Sequence, residues 1–139
     1  MASLPSWNQP RVIHLAEVTR FAEGQLINVH LFDGDGFYGR LLCFRHGQHV
    51  PEHVHPHMDE CFDVMEGEGS FWLNGRQVRA GPGTTFYIAA GTRHALIADG
   101  TEYWVLRETV HERVYARRAL RLLARMILKR LPWIGRRWR

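Results

Sequence analysis

The chain has 139 residues, 45% hydrophobic and 23% charged, which suits a single domain with an ordinary globular core. Two cysteines, Cys43 and Cys61, are too few for a disulfide framework and fit no zinc-finger spacing, so they read as buried apolar thiols. No basic segment followed by an apolar run opens the chain, and no uncharged apolar stretch reaches the ~18 residues of a spanning helix, which leaves a cytoplasmic protein as the expectation.

The net charge of +4 is unevenly divided. All fourteen acids lie at or before Glu112 together with only eight Lys and Arg, so residues 1–112 carry −6. Residues 113–139 hold ten basic residues and no acid, a charge of +10. This asymmetry marks a boundary and gives the tail the character of a segment with its own partner. Three parts are expected: an N-terminal segment (1–25), a β domain (26–112) and a basic tail (113–139).

In chain order, LAEVTRFA (15–22) is the one stretch before residue 111 that admits a helix. LINVHLF (26–32) and FYGRLLCF (37–44) read as strands around the turn signal DGDG (33–36). A histidine-rich stretch follows, then ECFDVM (60–65) and SFWL (70–73). Asn74-Gly75 suits a two-residue hairpin into RQVRA, because both residues tolerate positive φ. TTFYIA (84–89), HALIA (94–98) and EYWVLRE (102–108) complete the series. Short strands at 8–12 residue intervals indicate an all-β sandwich or barrel.

Near residue 113 the period changes to 3.6. Arg117, Arg118, Arg121, Arg125 and Lys129 share one arc of a helix over 113–131, and Leu120, Leu123, Met126, Ile127 and Leu131 lie opposite. Pro132 ends the run. Trp133, Ile134 and Trp138 then sit among Arg136, Arg137 and Arg139. Such a basic amphipathic helix has three possible partners. It can pack on the barrel or on a second copy as a homodimer contact. It can lie on an anionic membrane, which would make the protein peripheral at the inner face. It can bind nucleic acid, but the body is acidic and no nucleic-acid motif is present.

The chemistry is concentrated in residues 46–57, which hold five of the nine histidines. In a strand, residues i and i+2 share a face, so His53 and His55 can aim two imidazoles at one point. Glu60 opens the next strand, with Phe62 and Val64 on its face and Cys61, Asp63 and Met65 on the other. His94 opens a later strand. Three imidazoles and one carboxylate leave one or two positions open on an octahedral Fe, Mn, Ni or Zn ion. His57 shares the parity of His55 and is a weaker candidate, for catalysis or for contact with substrate. His46 and His49 read as turn or solvent residues. Tyr38, Arg40, Tyr87, Trp104 and Arg107 lie in strands that can line a pocket.

The segment Gly47-QHVPE-His53-V-His55-PHMD-Glu60-CFDVME-Gly67 resembles the first motif of the cupin family at every defined position. The segment Gly83-TTFYI-Ala89-A-Gly91-TR-His94-ALI-Ala98 is similar to the second, with Ala89 and Ala98 where the family has proline and asparagine. The resemblance covers about residues 26–108. It implies a double-stranded β-helix, a jelly-roll-like conical barrel, with His53, His55, Glu60 and His94 as ligands of one divalent metal. It implies a metal-dependent enzyme acting on a small molecule, of dioxygenase, isomerase or lyase type. The alternative is a non-catalytic module that senses a metabolite or metal, held at a membrane or partner protein by the tail. No convergent arginine pair marks a phosphosugar site.

Overall fold

The structure, a computed structural model, describes residues 9–113 and 115–129. The expected tail residues Leu131, Pro132, Trp133, Ile134 and Trp138 lie outside this range. A short helix α1 (Leu15–Val18) precedes nine strands: β1 (Ile27–Asp33), β2 (Phe37–Arg45), β3 (His49–His53), β4 (Met58–Glu66), β5 (Gly69–Leu73), β6 (Arg76–Ala80), β7 (Thr85–Ile88), β8 (His94–Ile97) and β9 (Tyr103–Glu112). Helix α2 (Tyr115–Lys129) follows.

The strands form two antiparallel sheets, ordered β1-β2-β9-β4-β7 and β3-β8-β5-β6. The all-β expectation and its strand positions hold. Asn74 and Gly75 turn between β5 and β6 with φ of 49° and 80°, as the hairpin reading requires. Three elements differ from the expectation by more than two residues. The helix expected over 15–22 is a single turn, ended at Thr19, whose hydroxyl donates back to the Leu15 carbonyl. β9 runs four residues past Glu108, because Thr109 to His111 pair with both β2 and β4 and Glu112 pairs with β4. β3 was hidden in the histidine stretch, whose polar and proline-containing sequence lacks strand alternation.

The core lies between the sheets. Leu42, Phe44, Phe62, Val64, Phe71, Phe86, Leu96, Trp104 and Leu106 interlock there. Phe71 stacks on Phe86, with ring centroids 4.2 Å apart, and meets Trp104 edge-on. β2 is buried on both faces. Leu42 and Phe44 point inward, while Leu41 and Cys43 form a second cluster with Val29, Leu31 and Val105. Ile13, Leu15, Val18 and Phe21 pack against that second cluster. The segment before β1 is thus a cover for the outer face of the five-stranded sheet. Of the two thiols, only Cys43 is buried; Cys61 is half-buried on the outer face of β4, which corrects the sequence expectation for that residue.

A candidate metal centre at the barrel mouth

Glu60 and His94 come from different sheets and meet in the interior. Glu60, in β4, is 3% exposed, and His94, the first residue of β8, is 1% exposed. His53 ends β3 directly opposite His94 in the register. His55 lies beyond the end of β3, so strand parity is not what directs it. The chain turns after His53, and the His55 carbonyl accepts a hydrogen bond from Gly91 N–H at 2.8 Å, which ties this turn to the one before β8. One nitrogen of each of His53, His55 and His94 lies within 4.8 Å of the others. The Glu60 carboxylate faces the same point, with Oε1 3.3 Å from His55 Nε2 and Oε2 2.9 Å from His94 Nε2.

Two imidazoles are oriented by the same local device. Nδ1 of His53 lies 2.7 Å from the Pro51 carbonyl, and Nδ1 of His94 lies 2.9 Å from the Thr92 carbonyl. A carbonyl only accepts, so Nδ1–H donates in each case and Nε2 carries the free lone pair toward the centre. This is the outer-shell arrangement that fixes the tautomer of a metal-ligating histidine.

The polar balance of the site is incomplete among the described residues. Glu60 Oε2 and His94 Nε2 are fully buried and close together, yet neither has a hydrogen bond of proper direction. Buried polar atoms are seldom left so. An ion bound by the three imidazoles and the carboxylate would satisfy both, and this donor set suits a divalent transition metal. The residues therefore fit such an ion.

Charge reinforces the grouping. Burial pushes the Glu60 carboxyl up, but the His94 imidazole and the Glu108 carboxyl beside it outweigh burial and hold it below the usual range. Burial lowers His94, but Glu60 and the Thr92 carbonyl raise it on balance. Burial lowers His55, against the pull of Glu60. His55 therefore stays neutral to lower pH, as a metal ligand must.

A cavity of about 240 Å³ opens onto these residues. His53, His55 and Glu60 line one side; Leu26, Leu42, Val50, Phe62 and Leu96 form apolar walls. Asn28, Arg40 and Glu108 complete it. Arg40 and Glu108 are cross-strand partners in β2 and β9, with Arg40 Nε 3.0 Å from Glu108 Oε2. Burial and the neighbouring Glu60 push Glu108 up, against Arg40, to about 7. Glu108 was absent from the sequence reading. It stands at an inward position of β9, on the parity of Trp104, Leu106 and Val110, and a carboxylate inside that apolar alternation was the available signal.

The other sequence candidates are placed elsewhere. His57 is exposed and does not join the three imidazoles; its carbonyl instead accepts from Arg113 N–H. Of the five residues that could line the pocket, only Arg40 does. Tyr38 points its hydroxyl at Met58, Tyr87 is exposed, Trp104 fills the core, and Arg107 pairs with Asp63 on the outer face.

The two motifs also account for their glycines. Gly47, Gly67, Gly83 and Gly91 all have positive φ, between 73° and 89°. A family model for the cupin domain matches residues 40–107, which include His53, His55, Glu60 and His94. The chain is a cupin-domain protein. A double-stranded β-helix protein of Klebsiella pneumoniae superposes with a TM-score of 0.69 at 21% identity, covering 76% of this chain and 93% of that one. A cupin 2 conserved barrel domain protein of Leptotrichia buccalis gives 0.65 at 24% identity, covering 72% of this cupin and 47% of the other chain. Among curated proteins, quercetin 2,3-dioxygenase of Bacillus subtilis is 22% identical over 103 residues, 71% of this chain. This cupin spans only 31% of that enzyme's length.

Proposed function

We propose that this cupin is a metal-dependent enzyme that transforms a small, largely apolar molecule, with dioxygenase-type chemistry as the leading reaction class. The observation that carries the reading is the convergence of His53, His55, His94 and buried Glu60 at a cavity with apolar walls. A divalent metal held by these four residues would supply open coordination positions for Lewis-acid or redox activation.

The remaining roles belong to the chain. Leu42, Val50, Phe62 and Leu96 exclude water and favour an apolar ligand. Glu60 would offset part of such an ion's charge. Arg40 brings a cation to the cavity wall, where it can orient a hydroxyl or carbonyl oxygen of the ligand. Glu108 titrates near neutrality and so can hold or release a proton beside that oxygen. The distant likeness to quercetin 2,3-dioxygenase supports a phenolic substrate class.

The test is elemental analysis of untagged protein, followed by oxygen uptake with quercetin after loading with Fe(II), Mn(II), Ni(II) or Zn(II). Metal-dependent oxygen consumption supports the enzyme. Stoichiometric metal and ligand binding without turnover of any phenol would favour the sensing module instead. No metal retained under any loading condition would overturn the metal-dependent enzyme.

A further inference from the structure

From α2 we infer that the tail is a docking surface for an anionic phospholipid bilayer. Leu120, Leu122, Leu123, Met126 and Ile127 are 53–67% exposed, so their apolar faces are not covered by the barrel. At 100° per residue they occupy one side of the helix, and Arg121 and Arg125 occupy the other. Single exposed apolar side chains need no explanation, but a contiguous row along one helix does.

Charge selects the occupant. The tail from residue 113 contains ten basic residues and no acid, so it cannot neutralise itself by i,i+4 pairing. Several of the barrel's acids are already engaged by the barrel's own arginines. Asp63 pairs with Arg107, Glu52 with Arg93, Asp99 with Arg79 and Glu108 with Arg40. No ion pair joins Arg121 or Arg125 to the barrel among the described residues. A second copy of α2 would cover the apolar side but would bring two tails of like charge together. An anionic bilayer receives both sides at once, the apolar row at the acyl boundary and the arginines at the headgroups. No helix among the described residues is long and apolar enough to cross a membrane, so the helix lies along the surface.

The tail leaves the barrel at a fixed point. Arg113 forms a two-pronged ion pair with Asp59, at 2.6 and 2.7 Å, and its N–H donates to the His57 carbonyl. Docking would therefore hold the rim that carries His55 and Glu60 beside the lipid.

The experiment is co-sedimentation of the full chain with phosphatidylcholine vesicles and with phosphatidylcholine–phosphatidylglycerol vesicles, at low and high salt. Sedimentation velocity without lipid runs in parallel. Binding is expected to the anionic vesicles, to weaken with salt, and to be slight with neutral ones. Arg121→Gln/Arg125→Gln should weaken it roughly thirtyfold, at about fivefold per basic residue. Leu123→Glu/Ile127→Glu should abolish it. Both pairs are solvent-exposed, so barrel unfolding should be unchanged. Equal binding to neutral vesicles, or no binding to either, overturns the proposal. A lipid-free dimer that Leu123→Glu/Ile127→Glu converts to monomer, without loss of vesicle binding, would assign the apolar side to a second copy and overturn it as well.

Discussion

His94 Nε2 and Glu60 Oε2 lie 2.9 Å apart in the interior, and neither atom makes a well-directed hydrogen bond. The two groups come from strands of opposite sheets, so the barrel itself brings this pair together. Without metal, protonation of His94 Nε2 makes the two an ion pair. Glu60 is held below its ordinary 4.5 and His94 above its ordinary 6.5. A depressed carboxyl stabilises the fold above about pH 4.5, and a raised imidazole does so until the pH passes its folded value. The pair therefore stabilises the metal-free barrel between these limits. Glu60→Gln should lower the His94 pKa, as read by NMR of the ring protons in metal-free protein. An unchanged His94 titration would contradict the pairing.

Metal occupancy should depend on all four donors. His53→Ala or His94→Ala should reduce affinity by more than the roughly 10–100-fold that loss of an outer-shell partner costs. Competition with a chelator followed by elemental analysis measures this. Full occupancy in the double variant would remove the assignment.

Protons compete with the ion for the imidazoles, so affinity should fall as the pH drops through the imidazole range, around 6.5. His94, raised by Glu60, sets the upper edge of this loss, whereas His55, lowered by burial, resists protonation longer. Titration of metal binding from pH 8 to pH 5 checks the slope. A flat profile is incompatible with a three-histidine site.

Glu108 should give stability the opposite pH dependence from a carboxylate whose pKa is lowered, such as Asp63 beside Thr85 and Arg107. Burial raises it from 4.5 to about 7. The unfolded chain therefore loses this proton first, and stability falls as pH rises between those values. The full effect is on the order of 3 kcal/mol. Chemical unfolding of metal-free wild type and Glu108→Gln at pH 5 and pH 8 isolates it, since the glutamine cannot ionise. The same pH slope in both proteins would show that Glu108 is ordinary.

Gly67 closes the first cupin motif and has φ +73°. A Cβ there would overlap the Tyr103 carbonyl and press on Thr101 Oγ1, which itself donates to that carbonyl. Gly67→Ala should therefore cost about 2–4 kcal/mol, from left-handed strain plus overpacking. Denaturant unfolding measures it. Gly47→Ala, with the same sign of φ but open space around its Cβ, should cost less.

The sequence by itself determined most of the strands, the Asn74-Gly75 hairpin, the two motifs that carry His53, His55, Glu60 and His94, and the division between acidic body and basic tail. These are local properties. Alternation assigns the faces of β4, residue type assigns turns, and the resemblance of the two motifs to the family pattern groups His53, His55, Glu60 and His94. Only the tertiary structure decided what each face meets. Arg40 and Glu108 are 68 residues apart in the chain and became partners through the β2–β9 register. His55 reached the site through a turn tied to Gly91, and His57, of the same parity, turned outward. The segment around α1 became a cover for Leu41 and Cys43. Periodicity records which side chains share a face, whereas long-range strand pairing chooses which faces close on one another.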